Sequence, residues 1–419
     1  MSDPLPLAGI TDPPRPALEV ADIVRRHGPA FLGWYERTLS ATQRRALADV
    51  AACRTAALGG HVRRCGSCGR EEIAYNSCRN RHCPKCQGSR TSAWLRREAS
   101  LLLPADYYHV VFTLPPSVAA VVWQNQRLGY GLLLRAVNET LREVAANPRH
   151  LGAQVGLLLV LHTWGQDLHY HPHVHVVATG GGLGCDASGV LTQPARWVSC
   201  RPGFFLPVRV LSRVFRGKYL ALLQQAHAAG KLRFYGELSG LSEAERFARW
   251  RGEQYGRDWV VYAKAPFGGP EQVLQYLARY THRVALTNHR LVSCDAATVR
   301  FTAKDYAAGG RRKVVTLSAE EFLRRWLQHV LPRGFVKIRH AGLLGNRRRT
   351  ERLALCRLLL ALAGMLLRVV QCLAEVDASR PARCCPDCGA EQWVVVSKVL
   401  PAGARVAEGK QSPSSPDTS

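Results

Sequence analysis

A histidine-rich stretch between residues 161 and 182, LHTWGQDLHYHPHVHVVATGGG, constrains the fold of this chain more than any other feature. His173 and His175 flank a single valine. Side chains alternate between the two faces of a β-strand, so both imidazoles point to one side while Val174 points into the core. His162 lies eleven residues upstream of His173 in another apolar run, GLLLVLHTW. If the two runs pair as neighbouring strands, the three imidazoles converge.

Three neutral nitrogen ligands leave coordination positions open, as a catalytic metal site requires. The sequence therefore predicts that His162, His173 and His175 bind one divalent ion. His171 has the same strand-face parity as His173 and would replace His162 if the strands paired in another register. An isolated histidine pair of this spacing is also typical of an ordinary polar hairpin surface.

Two tyrosines follow about a hundred residues later, in GGPEQVLQYLARYTHRVAL. Pro270 suits the first turn of a helix, and good helix formers come after it. Tyr276 and Tyr280 are four residues apart, so they share one helix face. A phenol with a pKa of about 10 is a poor nucleophile, but beside a metal and cations its oxyanion can attack a phosphodiester. Arg279 and Arg283 are candidate phosphate ligands, although the same spacing also fits structural aromatics and a solvated helix face.

The cysteines are clustered. Cys65 and Cys68 form one C-x2-C knuckle, and Cys83 and Cys86 form a second one, separated from the first by fourteen residues. Such turns present thiolates to a tetrahedral zinc ion, so the sequence predicts one structural zinc held by these four residues. Four further residues are candidates for a second zinc or for exchange with the first set: Cys53, His61, Cys78 and His82. Cys53 alone also fits a small buried apolar residue.

A third cluster lies near the C-terminus, at Cys384, Cys385 and Cys388. It has the form of half a zinc knuckle, and no second C-x2-C pair follows it. The sequence is compatible with a degraded zinc ribbon or with a site that takes a ligand from Cys372 or from a partner.

The charge of the chain predicts a polyanionic partner. The formal net charge is +26 and the pI is about 10.0, and neutralising phosphates releases condensed counterions. Arg79, Arg81 and Lys85 lie within the cysteine-rich segment and are candidate DNA contacts. No glycine-rich phosphate loop occurs, which disfavours a P-loop ATPase.

The sequence predicts no membrane contact. The longest apolar run, LALCRLLLALAGMLLRVV, is interrupted by Arg357 and Arg368, and a spanning helix needs about 20 apolar residues. The first residues lack the basic start and apolar run of a secretory signal. We therefore expect a bacterial cytoplasmic protein, associated with the nucleoid, in which clustered cysteines bind metal rather than form disulfides.

The alternation of helical and strand patterns predicts an α+β fold with an antiparallel sheet behind the histidines. A first strand is expected at YYHVVFTLP and a single helix from about 116 to 146. Ser318 and Glu321 have capping-box spacing and predict the start of another helix. The expected organisation is a disordered leader (1–15), a helical and zinc-binding domain (16–95), a catalytic domain (96–350), a helical C-terminal region with the partial knuckle (351–400) and a disordered tail (401–419).

The histidines and tyrosines together resemble the HUH endonuclease superfamily, in which U is a hydrophobic residue. His173-Val174-His175 is the HUH motif, and the paired tyrosines resemble those of two-tyrosine rolling-circle transposases. Over roughly residues 40 to 350, the chain is similar to the bacterial insertion-sequence transposase family numbered ninety-one. The similarity is carried, in order, by AALGGHVRRCGSCG, NSCRNRHCPKCQ, LHTWGQDLHYHPHVH, FFLPVRVLSRVFRGK, YLARYTHR and FTAKDYAAGG.

This resemblance implies an HUH-type catalytic domain that uses Mg²⁺ or Mn²⁺ at the histidines and structural Zn²⁺ at the cysteines. It implies cleavage and rejoining of single-stranded DNA, at transposon ends and at target DNA, through a 5′-phosphotyrosine on Tyr276 or Tyr280. Three alternatives remain open on the sequence: a relaxase-like or replication-initiator-like nickase, a non-catalytic zinc-containing DNA-binding protein, and a zinc hydrolase. Only Asp167 and Asp186 are near enough in sequence to serve the last as a base.

Overall fold

The computed structural model describes residues 16–86, 94–264, 272–273, 276, 285–305, 309–363 and 384–402. Its helices are α1 (Val20–Tyr35), α2 (Ala41–Ala52), α3 (Pro116–Gln124), α4 (Gln126–Ala146), α5 (Val208–Ala228), α6 (Ala244–Tyr255), α7 (Ala319–Gln328) and α8 (Arg349–Leu362). Its strands are β1 (Gly60–Cys65), β2 (Glu71–Tyr75), β3 (Tyr107–Thr113), β4 (Ala153–Trp164), β5 (Tyr170–Gly184), β6 (Trp197–Ser199), β7 (Val261–Ala263), β8 (Leu291–Cys294), β9 (Thr298–Asp305), β10 (Arg311–Ser318), β11 (Ile338–Gly342) and β12 (Trp393–Val399). Short 3₁₀ turns occur at Ala56–Leu58, Pro84–Cys86, Gly236–Ser242 and Asn288–Arg290.

The central sheet is antiparallel, in the order β11-β4-β5-β3-β7, with β6 paired to β5. One face packs against α3, α4 and α5 and forms the largest core, to which Val110, Phe112, Val174 and Val176 contribute fully buried side chains. Because the pleat alternates, the residues between them point to the other face. This arrangement confirms the predicted α+β fold with an antiparallel sheet.

One predicted helix is two. The chain leaves helical geometry at Asn125, where φ is −132° and ψ is 43°. The Asn125 side-chain amide donates to the carbonyl oxygens of Val121 at 3.0 Å and Arg233 at 2.8 Å. The bond to Arg233 ties the break between α3 and α4 to a distant loop. Side-chain hydrogen bonds, and not local helix propensity, therefore determine where α3 ends.

A second antiparallel sheet, β8-β9-β10, is separate from the one that carries the histidines. It packs with α1, α2 and α7 around a core that includes Val299, Phe301, Phe322 and Trp326. The Oγ of Ser318 accepts a 3.1 Å hydrogen bond from the Glu321 amide, so α7 begins at the predicted capping residue.

The third sheet joins distant parts of the chain. Its order is β12-β1-β2, so a strand near the C-terminus pairs with one near the N-terminus. The region 351–400 was expected to be helical; it contains α8, but residues 393–399 form β12. Sequence pattern alone missed this strand because its ladder partner is more than three hundred residues away.

No helix in the described part of the chain is both long enough and apolar enough to cross a bilayer. The predicted leader, Cys372 and residues 403–419 of the predicted tail lie outside the described residues.

Candidate active site

The central sheet brings three histidines together. β4 and β5 pair so that His162 lies directly opposite His173, and His175 is two residues further along the same face of β5. This is the face that points away from the α3–α5 core. One ring nitrogen from each of the three residues lies within 4.8 Å of the others. Three ring nitrogens at this spacing could hold one metal ion.

Hydrogen bonds orient the rings. His173 Nδ1 lies 2.6 Å from the carbonyl oxygen of His171 and must donate to it, which leaves Nε2 with a free lone pair. That Nε2 is 3.1 Å from His175 Nε2. His171 therefore contributes its backbone, and the register observed selects His162 over His171 as the third member of the group.

Burial keeps these imidazoles neutral. Desolvation lowers the pKa of His173 to about 4. The pKa of His175 falls well below its ordinary value because of burial, with further lowering from His162 and His173. Neutral imidazoles have the lone pairs that a cation needs, so His173 and His175 are in the protonation state that binds metal at neutral pH.

Tyr276 lies against this group. Its hydroxyl is 2.6 Å from His109 Nε2 and 3.0 Å from His175 Nδ1. The ring packs on a small apolar cluster that includes Tyr107 and Val273. The other residues predicted on the same helix, Tyr280, Arg279 and Arg283, lie outside the described residues.

His109 was missed by the sequence reasoning. It lies on β3, its ring stacks on His175 with planes 4° apart and centroids 5.1 Å apart, and burial lowers its pKa to about 3. The register of β3 on β5 places Val111 opposite His175, so His109 is on the histidine face. The signal in YYHVVFT was available: a polar ring at the parity of Tyr107 and Val111, opposite the core residues Val110 and Phe112.

Behind the site lies a cavity shared with the cysteine-rich segment. Trp164 stacks on His162 with ring centroids 4.4 Å apart and planes 22° apart. The cavity beyond it is lined by Arg81, His82, Trp164, Ala285, His329, Leu331 and Lys337. Burial lowers the pKa of His82 to about 3 and of Lys337 to about 8. The cysteine-rich segment therefore contacts the layer of residues that supports a histidine of the site.

Two predicted DNA contacts are used inside the protein. The Arg81 guanidinium donates to the carbonyl oxygens of Phe335 at 2.5 Å, Pro332 at 2.8 Å and Leu331 at 3.3 Å. Lys85 forms an ion pair with Glu19. Both side chains thus have partners within the protein, and as DNA contacts they stay predictions. Arg79 is exposed and stays a prediction.

The cysteines form two groups, and neither is the set of Cys65, Cys68, Cys83 and Cys86; the first follows the exchange that the sequence left open, with Cys53 and Cys78 in place of Cys65 and Cys68. The first, which we call the core cluster, is Cys53, Cys78, Cys83 and Cys86. The second, the ribbon cluster, is Cys65, Cys68, Cys385 and Cys388. Neighbouring sulfurs are 3.5–3.6 Å apart in both clusters.

The grouping of the first two knuckles around one zinc is therefore wrong. The β1-β2 hairpin turns Cys65 and Cys68 away towards the C-terminal knuckle, while Cys53, at the end of α2, and Cys78 complete the group with Cys83 and Cys86. His61 and His82 belong to neither cluster. His61 is on β1, and His82 lines the cavity.

Two segments of the chain match known protein families. A family described as "Transposase zinc-binding domain" matches residues 23–114, and one described as "Putative transposase" matches residues 156–352. The core cluster lies wholly within the first match, as do Cys65 and Cys68 of the ribbon cluster, so the match and the cysteine groups together support structural zinc in this part of the chain.

Two relatives are similar over most of the chain. The "Putative transposase y4qJ" of Sinorhizobium fredii (strain NBRC 101917 / NGR234) is 50% identical over 384 residues, covering 90% of this chain and 94% of that protein. The "Transposase for insertion sequence element IS801" of Pseudomonas savastanoi pv. phaseolicola is 28% identical over 302 residues, covering 71% of this chain and 68% of that protein. No solved structure matches.

Proposed function

Because this chain belongs to the IS91 family of insertion-sequence transposases, we propose that it cleaves and rejoins single-stranded DNA in rolling-circle-type transposition. Its substrates would be single-stranded transposon ends and target DNA, which the net charge of +26 suits. Its place of action would be the bacterial nucleoid.

The observation that carries this proposal is the Tyr276 hydroxyl, held by His109 and His175 at the edge of the three-histidine group. The phenol oxygen attacks the scissile phosphorus and forms a 5′-phosphotyrosine, while the strand leaves with a free 3′-hydroxyl. The phenolic proton has its nearest acceptor at His109 Nε2. Because the covalent link replaces one phosphodiester by another, rejoining needs no nucleotide triphosphate.

The residues fit a catalytic divalent ion. His162, His173 and His175 would hold it through ring nitrogens, and a bound Mg²⁺ or Mn²⁺ supplies Lewis-acid polarisation of the scissile phosphate. Imidazole is a softer ligand than carboxylate, which favours Mn²⁺ of the two. The stacked Trp164 and the His171 carbonyl bond keep two of these rings in fixed orientations.

Tyr280 would serve as the second nucleophile, so that donor and target strands are held in turn. Arg279 and Arg283 would bind the phosphates beside the two tyrosines, and exposed Arg79 would contact DNA from the zinc-binding segment. A relaxase-like nickase would use the same attack, so strand joining is the step that separates the two functions.

The test is to incubate the protein with labelled single-stranded DNA from the end of its own element and Mn²⁺, and to separate the products on a denaturing gel. We expect a protein–DNA adduct that is lost in Tyr276→Phe/Tyr280→Phe. Tyr255→Phe, an exposed phenol on α6, is the matched control and should keep the adduct.

Binding without an adduct, across several end sequences and both metals, would overturn the proposal in favour of a DNA-binding protein. An adduct that never yields joined strands would favour a nickase. Efficient cleavage of blunt duplex DNA would contradict an HUH-type site.

A further inference from the structure

The two knuckles of the ribbon cluster are built alike although they lie at opposite ends of the chain. Residues 65–69 read CGSCG and residues 385–389 read CPDCG. In each, the N–H of the first cysteine donates to the carbonyl oxygen five residues later, at 2.8 and 2.7 Å. The N–H of the final glycine donates to the first cysteine's carbonyl oxygen, at 3.1 and 2.8 Å.

Both glycines have left-handed backbone angles, with φ of 75° at Gly69 and 74° at Gly389. Such angles favour glycine, so each knuckle carries the residue that its turn requires. The Cys83–Cys86 knuckle is followed by glutamine instead. The glycine therefore distinguishes the two knuckles of the ribbon cluster from the Cys83–Cys86 knuckle of the core cluster.

The sulfur geometry matches one tetrahedral ion. Cys65 Sγ is 3.6 Å from Cys388 Sγ, and Cys68 Sγ is 3.5 Å from Cys385 Sγ. Zinc–sulfur bonds of about 2.3 Å in a tetrahedron place sulfurs about 3.8 Å apart. A disulfide would need about 2.05 Å. We propose that these four thiolates bind a second structural zinc ion, which joins the two ends of the chain into a single zinc ribbon.

The backbone supports this ribbon on both sides of the knuckles. β12 pairs with β1 from Gly60 to Cys65, and the Gly66 amide donates to the Gln392 carbonyl oxygen at 3.0 Å. Arg70 forms an ion pair with Asp387 of the opposite knuckle. Each segment thus supplies one knuckle, and together they complete a three-stranded sheet that neither forms alone.

Metal is needed because this sheet buries little apolar surface. Every second residue of β2 is exposed, and the five central residues of β12 are all exposed. The side chains that pack across it are few, such as Arg63 over the Trp393 ring at 5.3 Å. Small units without a hydrophobic core are held by disulfides or metal, and here the four cysteines are free thiols.

The first test is zinc content, measured by mass spectrometry on the purified full chain. All variants carry His173→Ala/His175→Ala, so that only the cysteine sites are counted. We expect two zinc ions per chain in this background and one in Cys385→Ser/Cys388→Ser. Cys65→Ser/Cys68→Ser should also keep one, and so should the quadruple variant, because the two pairs share a single ion.

Cys384→Ser is the matched control, since this thiol adjoins the ribbon cluster without belonging to it; it should keep two ions. The remaining ion in each variant reports that the core cluster, and hence the fold around it, is intact. Two ions in Cys385→Ser/Cys388→Ser, or one in the starting background, would overturn the proposal.

The second test asks whether the ion holds the two segments together. A specific protease site is inserted between residues 370 and 380, and the cleaved protein is passed through a gel-filtration column. The C-terminal fragment should co-elute with the body in the starting background and in Cys384→Ser, and separate in Cys65→Ser/Cys68→Ser. Co-elution in the last variant, or separation in the first, would contradict the zinc clasp. Neither test uses DNA cleavage, so its result is independent of the proposed function.

Discussion

The histidine site and the ribbon cluster are assembled over very different distances along the chain. His162, His173 and His175 lie on two adjacent strands of one sheet, whereas Cys68 and Cys385 are separated by 317 residues. In the first case the pleat fixes the face on which each histidine lies, and the pairing of two consecutive strands brings the rings together. In the second, only the pairing of β12 with β1 decides which thiolates meet.

The difference shows how much of a site can be predicted from the spacing of its residues in the sequence. A period of two on a strand determines where side chains point, so it predicts a group of ligands. A C-x2-C turn determines only that two thiolates point together, and leaves their partners to topology. If this view is correct, the histidines can be changed without loss of the fold, while the cysteines cannot.

The largest expected effect is on cleavage. His175→Ala should lower adduct formation by at least about 100-fold, because it removes a ligand and a hydrogen-bond partner of Tyr276. DNA affinity and thermal stability should change little. The adduct assay, a DNA-binding titration and calorimetry check this, with His169→Ala, an exposed ring outside the group, as control. A large loss of stability would contradict the view that the histidines can be changed without loss of the fold.

The core cluster should show the opposite behaviour. Cys83→Ser removes a fully buried thiol of the core cluster, a candidate zinc ligand, and should lower the free energy of unfolding by on the order of 3–5 kcal/mol. Cys185→Ser, at a buried thiol outside both clusters, should cost about 1 kcal/mol. Denaturant unfolding of the three proteins measures this, and equal losses in both variants would mean that zinc adds no stability.

Two neighbouring arginines, Arg81 and Arg79, are expected to differ in role, the first contributing to stability and the second to DNA binding. Arg81→Gln should cost about 1–3 kcal/mol of stability, because the carbonyl oxygens of Leu331, Pro332 and Phe335 lose their hydrogen bonds to the guanidinium. Arg79→Gln, on the exposed side, should leave stability unchanged and weaken DNA binding at low salt. Unfolding curves and salt-dependent binding titrations distinguish them; an exchange of the two outcomes would reverse the assignments.

The smallest effect concerns acid. Burial lowers the pKa of His329 to about 4, so between pH 6.5 and about 4 the unfolded chain binds a proton that the folded protein does not. Stability should therefore fall as the pH drops through this window. His329→Gln should flatten that slope, measured by unfolding at a series of pH values, while an unchanged slope would rule out His329 as a contributor.

Local pattern predicted most of the fold and the three histidines, because buried strands and helix caps leave regular marks in sequence. It failed where a distant contact overrides the pattern. Asn125 ends a helix through a bond to Arg233, and the Arg81 guanidinium donates to the carbonyl oxygens of Phe335 and Pro332. His109 was missed for another reason: strand parity shows which face it occupies, but only the register of β3 on β5 shows that it lies beside His175.

The three carbonyl bonds of Arg81 also limit how this protein can be recombined with its relatives. If the N-terminal segment of a relative replaced that of this chain, its residue at position 81 would have to form hydrogen bonds with the carbonyl oxygens at 331–335 of a different parent protein. A working chimaera would have to inherit both pieces from one parent. The cysteine-rich segment is thus matched to residues 331–335 and is not a DNA-binding module that can be exchanged independently of them.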